Sequence, residues 1–420
     1  MRINRFAVAA ALVAAGFAQA QDVKLNALAE LWYTQMTNSN LRWNTAAKPG
    51  GASAYYEGLS SGRFAENGFT LKRAEIYGSW KISDEWGANF MFDPNNAANT
   101  VGNNVLQDLI VTWTPAAVKG LSVKAGQFKM PTVYESTIVS ARDIIFFDRA
   151  QLARQFGEKR DRGVWFAYSY GDPKGFRGTF NAGISNGSSD DGSAGKTAVD
   201  ASAQKDYFFR YDATYGSAHK FGVYHRIGET NLKVAGATTI PAAWTAAGVT
   251  ATAITDNRDK TTLTGAFYAY DDKTWHFEAE AATGILGRRY PSVFTTAAAP
   301  LREHLDQTYI GYQVTGVYKF GAHQIAARYD FLNYNKGNDW YTTYNPYTMA
   351  NATTSLGYDL TPKYTEITLG YNYLFNAGKY SQGKVKVDYI HRSGNFLLPR
   401  AGQTGEQGGD SVVLSVMVGF

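Results

Sequence analysis

Residues 411–420 read Ser-Val-Val-Leu-Ser-Val-Met-Val-Gly-Phe, and their alternation decides the fold. Val412, Leu414, Val416, Val418 and Phe420 share one parity and are all apolar. The other parity carries Ser411, Ser415 and Gly419, with Val413 and Met417 among them. Side chains two apart on a strand point the same way, so this is a strand with one greasy face. Such a strand at the end of a sequence must pair or leave an open edge. In hydrocarbon the edge has to close, because each unpaired backbone group there costs several kcal/mol. The pattern therefore predicts a sheet closed on itself in a membrane.

The other end agrees. Met1–Ala20 reads as a secretory signal peptide, with Arg2 and Arg5 as its basic region, an apolar stretch over Phe6–Phe17 and a small-x-small cleavage site at Ala18-Gln19-Ala20. The apolar stretch is short for a signal anchor or a membrane span. Residues 21–420 are then read as one transmembrane β-barrel domain, with no linker and no second domain. Cysteine is absent, which rules out a lipidated-cysteine anchor, disulfides and thiolate chemistry. The 28 Tyr, 24 Phe, 9 Trp and 42 Gly are heavy for a soluble enzyme and fit a barrel with an apolar outside and aromatic girdles. Without Arg2 and Arg5 the basic residues number 39 against 36 acidic, too near balance for a nucleic-acid binder. One uncharged stretch, Val234–Ile254, is long enough for a helical span, but its Thr, Gly, β-branched residues and Pro241 read as a loop.

Alternating runs predict sixteen antiparallel strands, at about 23–33, 69–80, 84–93, 105–114, 121–129, 162–171, 176–185, 206–216, 220–229, 259–270, 274–284, 307–319, 323–333, 363–375, 383–393 and 411–420. Their connections alternate short and long. The short ones hold turn chemistry, as in Asp172-Pro173-Lys174-Gly175 and Asp271-Asp272-Lys273. The long ones are 34–68, 94–104, 130–161, 186–205, 230–258, 285–306, 334–362 and 394–410. That rhythm is the one an outer-membrane meander shows, with brief periplasmic turns and larger outer loops.

Within strands the charges keep to one parity. Phe176, Gly178, Phe180, Ala182 and Ile184 oppose Arg177, Thr179, Asn181 and Gly183. A Lys or Arg on the lipid face near the midplane costs about 2–4 kcal/mol, so the charged parity faces inward and meets water. Sixteen strands enclose more space than side chains fill, which makes the barrel a tube. The wall candidates are Arg73 with Glu75, Arg210 with Asp212, Arg328 with Asp330, and Lys386 with Asp388, each a base and an acid two places apart, together with Lys124 and Arg177. Mutual neutralisation explains the four pairs; a patterned field that orients solutes is the sharper alternative.

Enzymatic constellations are missing. The six His residues are scattered without metal-ligand spacing, and no Gly-rich phosphate loop joins a strand to a helix. No cofactor or metal is expected. The third long loop carries the interest instead. Arg142, Arg149, Arg154, Lys159, Arg160 and Arg162 are interleaved with Ile144, Ile145, Phe146, Phe147, Leu152 and Phe156. A water-bathed loop has little use for Ile-Ile-Phe-Phe. Folded back into the barrel, that stretch packs on the wall while the arginines face the opening, where a planar guanidinium suits phosphate or carboxylate. The alternative is a surface loop packed on a neighbouring subunit.

These residues carry a resemblance. Gly68-Phe69-Thr70-Leu71-Lys72-Arg73-Ala74, Gly126-Gln127-Phe128-Lys129-Met130-Pro131 with Glu135 following, Phe147-Asp148-Arg149 and Arg160-Asp161-Arg162-Gly163 resemble blocks of the phosphate-selective porin family, in the family's order. The terminal Phe420 resembles the assembly signal of outer-membrane barrels. The resemblance implies a homotrimer of sixteen-stranded barrels with an inward third loop, and Lys129 and Arg149 as positions that steer anions. Arg142, Arg154, Arg160 and Arg162 join them on the loop's charge alone. The family's phosphate-specific arginine ladder and lysine cluster do not map onto this wall.

The expected function is an outer-membrane porin of a Gram-negative-type bacterium, passing small hydrophilic solutes by diffusion with a moderate preference for anions, phosphate among them. Its partners are outer-membrane lipid, the barrel-assembly machinery, those solutes and its own copies. The alternatives are a plugged or narrow barrel that binds or adheres through long loops such as 230–258 and 334–362, and an outer-membrane hydrolase.

Overall fold

The computed structural model describes residues 22–37, 68–94, 105–157, 160–187, 205–231, 258–286, 307–333, 336–337, 363–375, 382–393 and 409–419. The expected signal peptide, the stretch Val234–Ile254, most of the outer loops and Phe420 lie outside these residues.

Sixteen strands run in order: β1 (Asp22–Met36), β2 (Gly68–Lys81), β3 (Trp86–Phe92), β4 (Leu106–Trp113), β5 (Leu121–Lys129), β6 (Arg160–Gly171), β7 (Phe176–Ser185), β8 (Asp206–Tyr215), β9 (His219–Asn231), β10 (Arg258–Asp271), β11 (Trp275–Leu286), β12 (Gln307–Phe320), β13 (His323–Asn333), β14 (Lys363–Phe375), β15 (Gln382–Ser393) and β16 (Gly409–Gly419). Each pairs antiparallel with its sequence neighbour, and β16 returns to β1 to close the barrel. The closing register runs from Leu28 opposite Gly419 to Met36 opposite Ser411. The open edge implied by the last strand is thus removed.

The parity of β16 is the one its sequence dictates. Leu414, Val416 and Val418 are exposed outward, while Ser411, Val413, Ser415 and Met417 are buried inward. Aromatic side chains gather at the strand ends beside the short turns. Trp86 stacks on Trp113 with centroids 6.0 Å apart, Trp275 meets Tyr318 at a tilt with centroids 4.8 Å apart, and His323 meets Tyr373 at 5.2 Å. Amphipathic rings suit the headgroup level, so these form one girdle. The turns are held by short side chains. Asp272 accepts the Tyr270 hydroxyl and the N–H groups of Thr274 and Trp275, the last two at 2.7 and 2.6 Å, and these bonds hold its carboxyl below the usual carboxylate range.

Three irregularities fall in one sector. Between β1 and β2 the register shifts after Glu30–Arg73, leaving Lys72 as an extra residue. Between β3 and β4 it shifts after Met91–Asp108, leaving Gln107 extra. A β-bulge of this kind sends neighbouring side chains to one face. Finally, β4 and β5 stop pairing at Leu109–Gln127, although β5 and β6 continue to Lys129–Arg160.

Candidate functional site

The third loop lies inside the barrel, and its sequence says why it stays there. Phe146 and Phe147 are fully buried in a cluster with Trp32, Val317, Ala326, Ile390 and Val413, apolar residues on the inward parity of a mostly polar wall. Phe147 meets the Trp32 ring edge-on at 5.1 Å. Gly370 leaves room for Phe146: a Cβ there would lie 2.9 Å from its ring. Each buried Phe contributes about 1.5–3 kcal/mol, offset by the cost of ordering the loop.

The backbone on either side is held by wall side chains, much as a strand is held by its neighbour. Lys384 Nζ donates to Ile144 O (3.1 Å), Asn372 Nδ2 to Ile145 O (3.0 Å) and Lys386 Nζ to Phe146 O (2.9 Å). Asp388 accepts the Phe147 N–H and Asp330 the Gln151 N–H. Upstream, the loop's one-turn helix α1 (Tyr134–Thr137) sets its first N–H on Glu280 at 2.6 Å, and Tyr134 stacks on Phe267 at 4.3 Å. Downstream, in the π-helical turn Ala153–Gly157, Arg154 reaches Glu366 at 3.3 Å and Phe156 stacks on Tyr309 at 3.7 Å.

The wall candidates Arg73, Glu75, Lys124, Arg177, Arg210, Asp212, Arg328, Asp330, Lys386 and Asp388 all stand on the inward parity. Two of the four expected pairs exist: Arg73 Nε is 3.6 Å from Glu75 and Arg210 Nε is 2.7 Å from Asp212. The other two pairs turn to different work. Arg328 donates to Asp148 O at 3.0 Å and joins Glu366 at 3.2 Å, while Lys386 joins Glu30 at 2.8 Å. Residues two apart on a strand are about 7 Å apart, so a loop at the wall lies closer to these side chains than they lie to each other.

The loop leans on β8, β10 to β16 and β1, and a cavity of about 500 Å³ remains between it and the wall of β2 to β4. Its charged lining is Lys72, Arg73, Lys129, Arg149, Arg154 and Arg160, with Glu75, Asp93 and Asp108. The expected loop bases therefore divide. Lys129 and Arg160 line the cavity, Arg160 Nε donating to Asp108 at 2.8 Å. Arg149 and Arg154 touch it but are almost wholly buried. Arg149 binds Glu135 O (2.9 Å) and Val139 O (3.1 Å), so it braces the loop as much as it faces the opening. Arg142 and Arg162 are not in the lining: Arg142 Nη2 donates to Ala27 O at 3.2 Å, and Arg162 Nε to Gln127 Oε1 at 3.3 Å. Lys72 was outside the candidate set, because strict alternation assigns Arg73 inward and Lys72 outward. The bulge turns both inward, and Lys72 Nζ sits 4.4 Å above the Trp32 ring and 3.4 Å from Asp148. The sequence signals for it were the adjacent bases Lys72-Arg73 and their place in the Gly68–Ala74 block. Among the described residues no His, Cys, Asp and Glu cluster could hold a metal ion.

A closed barrel of sixteen strands with an apolar, largely aromatic and aliphatic outer face, a charged lumen and a loop folded into that lumen defines the class of outer-membrane channels. The chain belongs to the phosphate-selective porin O and P family, which it matches over residues 52–396. Family and fold are those of a channel rather than an enzyme. In solved structures the barrel is similar to the outer-membrane channel DcaP of Acinetobacter baumannii, with a TM-score of 0.54 and 12% identity over 95% of this chain and 97% of that one. It is also similar to OmpF of Salmonella typhi in complex with daunomycin (0.53, 13%, 95% and 97%) and to an anion-selective porin from Comamonas acidovorans (0.50, 11%, 95% and 98%). At these identities the likeness is one of fold. No curated protein sequence matches the chain significantly.

Proposed function

We propose that the chain passes small hydrophilic solutes across the outer membrane by diffusion, with a moderate preference for anions. One observation carries the preference. In the lining of the cavity beside the third loop, bases outnumber acids two to one. A narrow opening with low-dielectric walls focuses such an imbalance onto passing ions. Arg73 is held by Glu30 and Glu75, Arg154 by Glu366 and Arg160 by Asp108. Bases tied to carboxylates make a diffuse field rather than a cage for one multivalent ion. That favours anions generally over phosphate alone. The working form is a homotrimer assembled after cleavage of residues 1–20, with Phe420 as the assembly signal; the family resemblance and the alternation of Ser411–Phe420 support this.

Reversal potentials in planar bilayers across a KCl gradient test the reading. The wild type should be anion-selective, and Lys129→Met with Arg160→Met should move its potential toward zero. A cation-selective wild type, or a potential that the double substitution leaves in place, overturns it.

A further inference from the structure

Strand β5 departs from the parity rule without a bulge in its own pairing. Leu109, Val111 and Trp113 of β4 are exposed on the membrane face and lie opposite Gln127, Ala125 and Val123. Gln127 and, two residues on, Lys129 therefore stand on the membrane-facing parity, as do their β6 partners Arg162 and Arg160. Yet Lys129 and Arg160 line the cavity, and Arg160 bonds Asp108, an inward residue of β4.

The backbone resolves the conflict. Beyond Leu109–Gln127, β5 no longer pairs with β4 but keeps its pairing with β6. The outer end of the β5–β6 hairpin has left the wall, so its outward face looks into the opening. Gly126 marks the departure: its φ is +137°, and a Cβ there would lie 2.0 Å from Leu109 O. Where the two strands part, Gln127 spans the gap with its side chain. Its amide nitrogen donates to Leu106 O at 3.0 Å and to Gln107 O at 2.8 Å, and its amide oxygen accepts from Arg162 at 3.3 Å. Only this orientation of the amide satisfies all three partners.

We propose that Gln127 is a positioning residue of the channel: its amide seals the seam between β4 and β5, and so lets the hairpin end lean inward and present Lys129 and Arg160 to passing ions. The proposal rests on the anion-channel reading. A merely structural glutamine would affect assembly alone; this one governs which way two cations face.

The test uses the full chain, which has no cysteine of its own. Lys129→Cys provides a single thiol, and current through bilayer-reconstituted channels reports its modification by anionic methanethiosulfonate ethylsulfonate. With Gln127 present the thiol should react readily from the aqueous lumen. With Gln127→Leu, which keeps the bulk and removes the amide, the rate should fall severalfold. Gln127→Glu keeps shape as well, loses the two donors, and should behave like Gln127→Leu; it serves if the leucine variant fails to assemble. In parallel, Gln127→Leu alone should carry the reversal potential toward that of the Lys129→Met, Arg160→Met protein, a drop of roughly three- to tenfold in anion preference, the low end of what focused charge does to local ion concentration. Equal thiol reactivity with and without the amide overturns the proposal and leaves the anion reading standing. Gln127-dependent labelling in a channel that is not anion-selective supports the positioning and overturns the anion reading instead.

Discussion

Glu366 is the carboxylate that holds the downstream half of the third loop, and Glu366→Gln tests how firmly. Its two oxygens take Arg154 and Arg392 at 3.3 Å, Arg328 at 3.2 Å and the Tyr364 hydroxyl at 3.1 Å. Glutamine keeps the shape and removes the charge. A unit pair at 3.3 Å through an effective dielectric near 20 is worth about 5 kcal/mol before desolvation and repulsion among the guanidiniums are subtracted. What remains when one partner of a buried pair is removed is a net cost of about 3–5 kcal/mol. Arg328 and Arg392 stand on strands and cannot leave; Arg154 stands on the loop and can. The strain is therefore relieved by the stretch around Arg154 coming off the wall. Opposing that are the Phe156–Tyr309 stack, worth about 0.5–1.5 kcal/mol, and the charge-assisted bond from Gln151 to Asp330, worth about 1.5–3 kcal/mol. Loss and restraint come out close to equal, so docked and undocked forms should both be populated. Single-channel recording should show a quiet current in the wild type and stepwise fluctuation with a higher mean in Glu366→Gln. Adding Arg154→Met removes the mobile surplus cation and should restore part of the quiet. A Glu366→Gln channel with wild-type amplitude and noise would refute the reasoning.

Gly370→Leu should expel Phe146 from its place on the wall and raise conductance while the barrel still assembles, as read by single-channel current and by heat-modifiable migration on gels. Phe147→Ala should cost about 3–5 kcal/mol of loop docking and raise conductance in the same direction, whereas an unchanged current would detach the Trp32 contact from the constriction. Asp272 has a depressed folded-state pKa, so its contribution to stability is fully present above 3.8 and is lost as pH falls through the lower folded value; urea unfolding below pH 4 should weaken more steeply in the wild type than in Asp272→Asn. Removing Phe420 should reduce the amount of assembled barrel reaching the outer membrane, as read by heat-modifiable migration of membrane fractions, without altering the selectivity of what does.

The barrel was legible because lipid and water impose a period of two that local composition cannot hide. The bounds read for 121–129, 176–185, 323–333 and 363–375 coincide with β5, β7, β13 and β14. The site was legible by half. Ile-Ile-Phe-Phe announced an inward loop because no aqueous loop has reason to hold it. Which bases face the opening was legible only in part. Lys129 was named on its family block and Arg160 on the charge of the loop, and both line the cavity although alternation alone puts them outward; Lys72 was missed because it escapes alternation through a bulge. Arg149 and Arg154 were read as facing solutes, and much of their hydrogen-bonding capacity goes to carbonyls and a carboxylate that only the folded loop brings near. Two of the four base–acid pairs changed partners because the loop reaches them first.

The joint between β1 and β16 also sets a timetable. It unites residues from opposite ends of the sequence, Leu28 with Gly419 among them, so it is the contact of highest order in the molecule. Closing so long a loop costs least once the strands between already stand in order. Until the ring shuts, the rims of β1 and β16 stay bare, with Leu414, Val416 and Val418 exposed beside them.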